Sequence, residues 1–167
     1  HCCSLTIVFW WYGDHLSLHW IVRGQRRMCR RDSVMGMREP TSGQVFLEGT
    51  DISDWQVRES REAGVGYIPE DRHRHGLLLE SPLWENRILG HQTQAPNVKG
   101  QLIDAKSAKA DTERIVKDYD VRTPSIHVTA GSLSGGNQQK LIIGREMSHA
   151  PKVLVAAHPT LSLIHIS

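Results

Sequence analysis

Hydrophobic and polar positions follow distinct rhythms along the chain, and each rhythm predicts its own kind of element. Short apolar runs closed by turn formers lie at Val45-Phe46-Leu47, Val65-Gly66-Tyr67-Ile68 before Pro69, and Val153-Leu154-Val155-Ala156-Ala157. Runs of that length predict strands, the second buried and ended by its proline, the third apolar throughout as in a buried parallel sheet. A helical rhythm spans Leu102 to Tyr119: Ala105, Ala108, Thr112, Ile115, Val116 and Tyr119 fall near one face, with Lys106, Lys109, Asp111, Glu113 and Lys117 mostly opposite. Such a stripe predicts core packing. A second helix is expected over Gln138 to Ser148, with Ile142, Ile143 and Met147 inward and Lys140, Arg145 and Glu146 reaching solvent, before His149-Ala150-Pro151 breaks it.

Shorter elements fill the spaces between. Met35-Gly36 ends a helix, Pro40-Thr41-Ser42-Gly43 and Glu48-Gly49-Thr50 are turns by composition, and Asp51, Ser53 or Asp54 caps a short helix over Trp55 to Arg61. Ser81-Pro82 reads as a serine cap with proline in the first turn of another helix. Glu70 to Gly76 is a charged loop and Gln92 to Gly100 a polar one.

Residues 1–32 show neither rhythm. They gather Trp10, Trp11, Tyr12 and Trp20, all of the chain's cysteines (Cys2, Cys3, Cys29), and then Arg23, Arg26, Arg27, Arg30 and Arg31. One reading is a basic arm whose arginines meet phosphates. The preferred one, from the abrupt change near Asp32 and Ser33, is a segment outside the native reading frame.

Composition narrows the classes. With 167 residues, 39% hydrophobic and 23% charged, the chain is about one globular domain long. A net charge of +2 is too small to argue for nucleic acid as a partner. No apolar run reaches the roughly 18 residues of a membrane span. The longest, Leu5 to Tyr12, is stopped by Gly13, Asp14 and His15, and it lacks the basic leader of a signal peptide. Any membrane association is therefore expected through a partner. Three cysteines without C-x-x-C spacing indicate neither a zinc site nor a disulfide framework. His73 and His75 sit in a basic loop without cysteines and read as solvated. No metal site is expected.

The candidate chemistry is concentrated at Ser134-Gly135-Gly136. Two glycines opening a helix cost roughly 1 kcal/mol each against alanine, so bare backbone is expected to be needed there. Ser134 is a good N-cap, and the free amides of the first turn, with the positive end of the helix dipole, suit an anion such as phosphate. For the triplet alone, an ordinary capped helix with flexible glycines is the simpler reading. The octapeptide Leu133-Ser134-Gly135-Gly136-Asn137-Gln138-Gln139-Lys140 changes that. It resembles the signature motif of ATP-binding cassette (ABC) proteins, in the LSGGNQQK form of importers of sugars and nucleosides.

Other stretches resemble the same family in the right order. Pro40 to Ile52 is similar to its antiparallel strand region. Tyr67-Ile68-Pro69-Glu70-Asp71-Arg72 is similar to the Q-loop region, with Glu70 where a glutamine is usual, which puts that position's metal-facing role in doubt but not its role as a hinge. Ser81 to Asn86 resembles the start of the helical subdomain, and Asp120-Val121-Arg122-Thr123-Pro124-Ser125 resembles the nucleoside-importer branch. Val153 to Thr160 resembles Walker B, where Pro159 and Thr160 match but Ala157 replaces the aspartate and His158 the glutamate. The first of those carboxylates helps hold Mg²⁺ and the second polarises the attacking water. No G-x-x-x-x-G-K-[ST] loop occurs in the chain.

The resemblance implies an α/β fold: an incomplete P-loop NTPase-type ABC nucleotide-binding domain over residues 33–160, with an antiparallel β region and a helical signature subdomain at about 82–131. Residues 161–167 are expected to be an artefactual tail. The resemblance further implies ATP with Mg²⁺, held mainly by a second nucleotide-binding domain. Leu133, Ser134, Gly135, Gly136, Asn137 and Gln138 are the expected nucleotide-facing residues, with no catalytic residue in this chain. Implied partners are that second domain, transmembrane permease subunits and, indirectly, an extracytoplasmic solute-binding protein. The implied place is the cytoplasmic face of the bacterial inner membrane. Two alternatives remain at this stage. A soluble ABC clamp of repair or translation should carry a coiled-coil or zinc-bearing insertion between Q-loop and signature, where neither heptads nor cysteines occur. The other is an inactive translated gene fragment.

Overall fold

The computed structural model describes residues 34–37, 44–100 and 102–156, and the backbone of two short strands before them. The expected turn at Pro40–Gly43, the altered Walker B positions Ala157 and His158 with Pro159 and Thr160, and the tail at 161–167 lie outside the described residues. Those described form two compact units, one holding the residues up to Tyr67 together with 150–156, the other residues 68–149.

In the first unit, β1 (Thr6–Val8) pairs antiparallel with β2 (His19–Ile21), Ile7 opposite Trp20. This pairing falls in the stretch where no strand rhythm is visible in the sequence. Next, β3 (Phe46–Leu47) pairs antiparallel with β4 (Thr50–Asp51). Two positive-φ residues, Glu48 and Gly49, make the hairpin loop, the backbone that a two-residue turn between twisted strands needs. Lys152 Nζ donates to Glu48 Oε2 at 2.6 Å, beside that turn.

Helix α1 is Val57–Glu62, two residues later than its expected start. Gln56, rather than Asp51, Ser53 or Asp54, is the N-cap, because Glu59 reaches back to the Gln56 amide at 2.8 Å in a capping box. Asp51 is occupied elsewhere, accepting from the amide and hydroxyl of Ser53. Strand β5 (Val65–Ile68) is buried along its whole length and pairs with β8 (Val153–Ala156). Met35, Val65, Tyr67 and Val155 form the core, with Val34, Leu47 and Val153 packed on it. Gly66 belongs to that packing, since a Cβ there would stand 2.9 Å from Leu154 Cδ1.

The second unit is built on three helices: α2 (Leu83–Ile88), α3 (Ala105–Asp118) and α4 (Gly135–Met147), with α3 against both others. Pro82, not Ser81, occupies the cap position of α2, and no side chain caps it. The hairpin of β6 (Val98–Lys99) and β7 (Leu102–Ile103) replaces the expected polar loop and first turn of α3. Asp104 explains the shift: its carboxylate accepts from the amides of Lys106 and Ser107, which fixes the helix start after it. Leu102 and Ile103 are left exposed.

Asp111, assigned to the polar face of α3, is buried and bound by Arg87 of α2 at 2.6 Å, with Arg114 on its other oxygen. Arg145 and Glu146, assigned to solvent, are 2% and 1% exposed. They pair with each other at 3.0 Å, and Arg145 Nη1 also donates to the carbonyls of Gly76 and Asn86. Charge alone misplaces these residues because buried ions are stable where opposite charges and hydrogen bonds surround them. Lys140 does lie at the surface, donating to Asp120.

The helices approach closely at Gly144. A Cβ there would stand 2.6 Å from Ile115 Cγ2 and 2.9 Å from Tyr119 Cδ2. Asn86 fastens the segment ahead of α2: its amide oxygen accepts from Leu78 N at 2.7 Å and its amino group reaches the carbonyls of Leu78, Ser81 and Pro82.

Candidate functional site

The expected serine-capped turn forms at the start of α4. Ser134 is extended (φ −61°, ψ 153°) and is the N-cap, its hydroxyl accepting from the Asn137 amide at 3.5 Å and from Asn137 Nδ2 at 3.1 Å. Gln138 N closes the first helical hydrogen bond onto Ser134 O at 2.9 Å. The amides of Gly135 and Gly136 have no acceptor among the described residues, as expected for the first positions of a helix. Ser134 and Gly136 are exposed.

The six candidate residues divide between two roles. Leu133 is buried at 8% exposure and Gln138 at 4%, so these two side chains face the interior of the unit. Gln138 uses its whole amide there: Oε1 accepts from Arg72 Nε at 3.1 Å and meets His73 Nε2 at 3.0 Å, while Nε2 donates to Ala130 O at 3.1 Å. Since Oε1 is only an acceptor, His73 must carry its proton on Nε2. Asn137 is partly turned inward as well, its Oδ1 accepting from the amide of Arg122 at 3.0 Å. Ser134, Gly135 and Gly136 are left to present backbone and hydroxyl.

The two glycines differ in what surrounds them. A Cβ on Gly136 would meet nothing within 4 Å, so its bare backbone faces open space. On Gly135 a Cβ would stand 2.8 Å from Arg72 Nη2 and 3.4 Å from the guanidinium carbon. The end of the Arg72 side chain therefore packs against Gly135. The sequence offered no local sign of this, as Arg72 is a distant residue in the charged loop.

That loop is more ordered than its composition suggests. Arg72–Gly76 forms a single wide helical turn capped by Asp71, whose carboxylate accepts from the amides of His73 and Arg74. His73 is thus held to Gln138 rather than merely solvated, although its side chain stays exposed. Glu70, at the expected hinge position, is exposed.

As a chemical arrangement, the turn can receive an anion: two unpaired amides, a hydroxyl and the positive end of a thirteen-residue helix converge where a glycine leaves room. A nucleotide phosphate fits that donor set. Among the described residues there is no group of three or more carboxylate, histidine or cysteine side chains that could hold a metal ion.

A family model described as ABC transporter matches residues 32–161. The guanosine import ATP-binding protein NupO of Bacillus subtilis is 40% identical over 132 residues, which cover 79% of this chain and 26% of that protein. The nucleoside import ATP-binding protein NupA of Lactococcus lactis is 37% identical, covering 84% and 27%, and the ribose import ATP-binding protein RbsA 2 of Rhizobium johnstonii 34%, covering 89% and 28%. The chain therefore spans about a quarter of the length of these relatives. Among solved structures, a dimeric ATP-binding cassette in a post-hydrolysis state with ADP and phosphate superposes with a TM-score of 0.62. It covers 97% of this chain and 77% of the cassette at 13% identity. A nucleotide-free cassette gives 0.61 at 18% identity, covering 97% and 72%. At those identities the likeness establishes the fold, that of an ATP-binding cassette.

Proposed function

The chain belongs to the ABC transporter family, and from that premise we propose that it is ATP-binding machinery of an importer for simple sugars or nucleosides. Its contribution is half of a shared ATP site: Ser134, Gly135, Gly136 and Asn137 complete a site whose phosphate-loop lysine and Walker B carboxylates belong to a second nucleotide-binding domain. The observation that carries this reading is the open face of Gly136 at the capped start of α4. The names of the relatives, which import guanosine, nucleosides and ribose, support the solute class.

ATP bound in the partner supplies a terminal phosphate with concentrated negative charge. Within this chain, the Ser134 hydroxyl and the amides of Gly135 and Gly136 bind and orient that charge, and the dipole of α4 favours it. Mg²⁺ is assigned to the partner's carboxylates, because Ala157 has no oxygen to offer where the family pattern carries an aspartate. The reciprocal site, with Ala157 and His158, would bind nucleotide weakly and hydrolyse it little. Closure around ATP would pass through the loop at Glu70 and the helical unit to permease subunits, which in turn receive solute from an extracytoplasmic binding protein.

This reading places the chain on the cytoplasmic face of the bacterial inner membrane, held there by the permease. No helix among the described residues is long and apolar enough to cross a membrane. The test is Ser134→Arg in the full-length protein that carries this segment, assembled with its partner domain. A bulky cation at the cap is expected to abolish ATP turnover, and turnover at the unmodified rate would sink the shared-site reading. Ala157→Asp with His158→Glu asks separately whether Walker B limits the reciprocal site.

A further inference from the structure

We propose that Arg72 is a positioning residue for the phosphate-facing turn, fixing the backbone of Gly135 and Gly136 in the pose that a nucleotide phosphate meets. The inference rests on the shared-site reading above and adds to it a residue that itself touches no nucleotide.

Arg72 grips the start of α4 with two parts of one planar group. Its Nε donates to Gln138 Oε1 at 3.1 Å, while Nη2 stands 2.8 Å from the point where a Cβ on Gly135 would be. Gln138 is itself held on both sides of its amide, its amino group by the carbonyl of Ala130 at 3.1 Å and its oxygen shared with His73. The guanidinium therefore spans from the buried amide of Gln138 to the backbone of Gly135, touching both ends of the turn between them.

The rest of the loop braces this grip. A Cβ on Gly76 would stand 2.9 Å from Ile142 Cδ1, and Arg145 Nη1 donates to Gly76 O at 2.9 Å. The loop thus meets α4 at Gly135, Gln138, Ile142 and Arg145, residues spaced by three and four along one helix face. Asp71 holds the near end of the loop through the amides of His73 and Arg74. Arg72 is the member of this line that reaches Gly135.

Electrostatics alone would not put an arginine there. A cation beside the N-terminus of a helix opposes the helix dipole, so the position is held by the fork's geometry and relieved when an anion arrives. This separates a positioning arginine from a generic positive charge. A lysine offers one rotatable point donor and cannot hold Gln138 and cover Gly135 together.

The experiment uses the full-length protein with its partner domain and measures steady-state ATP turnover for the parent, Arg72→Gln, Arg72→Lys and Ser134→Arg. Rates are normalised to the folded fraction of each variant from circular dichroism, so that a fold defect does not pass as a positioning defect. Arg72→Gln is expected to lower kcat about 10- to 100-fold, the scale of a small misplacement of binding groups. Its KM for ATP should stay within about three-fold of the parent's, since ground-state binding belongs to the partner. Arg72→Lys should fall with it. Turnover unchanged in Arg72→Gln, or restored by Arg72→Lys, would overturn the proposal, the second outcome showing that charge suffices. If Ser134→Arg abolishes turnover while Arg72→Gln does not, only the positioning role fails. If Ser134→Arg remains active, the shared site itself fails.

Discussion

Arg87 donates through Nη2 to His149 Nε2 at 2.9 Å, which makes the histidine an acceptor and requires its neutral form with the proton on Nδ1. Burial, followed by the charge of Arg87, holds the His149 pKa below its ordinary value of 6.5, while Asp111 and Glu146 pull more weakly the other way. His91 stacks on the same ring, with centroids 4.4 Å apart, so a proton on His149 would face a second imidazole as well as Arg87.

A pH dependence follows with a definite sign. Well above 6.5 His149 is neutral in both folded and unfolded chains and contributes no slope. Between 6.5 and its lower folded pKa the unfolded chain binds the proton and the folded chain does not, so stability rises with pH there and is lost on acidification. Melting curves taken from about pH 8 down to about pH 5 should show the decline, the range in which an imidazole titrates. His149→Gln keeps an acceptor for Arg87 without a titrating proton. It should remove part of that decline, and an unchanged slope would dismiss His149 as its source.

Asp111 offers a second, separate window. Burial alone would raise its pKa, but the hydrogen bond from Arg114 and the charge and hydrogen bond of Arg87 outweigh it, and the carboxyl sits below its usual 3.8. Its stabilisation is present above that value and disappears only as pH falls through the folded pKa. Asp111→Ala leaves the fully buried Arg87 without its carboxylate and should cost about 3–5 kcal/mol in urea unfolding, the scale for breaking a buried ion pair.

Gly144→Ala should destabilise the helical unit although it improves helix propensity. The added methyl would meet Ile115 Cγ2 of α3 at 2.6 Å and Cδ2 of Tyr119, the residue that caps α3, at 2.9 Å. Overpacking of this kind costs about 1–3 kcal/mol, against a propensity gain of up to about 1 kcal/mol. A lower urea midpoint with an unchanged denaturant slope is the expected result.

Gly136→Ala should do the reverse to the fold and still harm the activity. Its Cβ would meet nothing, so the helix gains up to about 1 kcal/mol. The same methyl occupies the open face proposed for phosphate. A variant that melts higher while turning over ATP more slowly in the full assembly is the expected outcome. A gain in both would assign the glycine to some other need.

The contrast between these glycines marks where sequence reading succeeds and stops. The cap at Ser134 and the strands at Val65–Ile68 and Val153–Ala156 are legible because their causes are local: a hydroxyl next to free amides, and apolar runs ended by turn formers. Helical periodicity sorts charges outward and so misplaces Arg145, Glu146 and Asp111. The burial of Asp111 rests on Arg87, 24 residues away, and that of Arg145 and Glu146 on their mutual pair and on the carbonyls of Gly76 and Asn86. The contact between Arg72 and Gln138 crosses 66 residues and leaves no trace in either neighbourhood. Gly144 is likewise explained only by the helix that crosses it. The end of β7 could have been found, since Asp104 followed by Lys106 and Ser107 is a capping arrangement that the apolar pattern concealed.

Asn137 is written between a glycine open to solvent and a glutamine held indoors, and its own side chain ties Ser134 to the backbone of Arg122. The octapeptide is therefore not one word with one meaning. A natural variant that changes Asn137 speaks to how the segment after α3 is laid against α4, whereas one that changes Gly136 speaks to what can approach from outside. Two chains could differ by one letter in this motif and differ in kind.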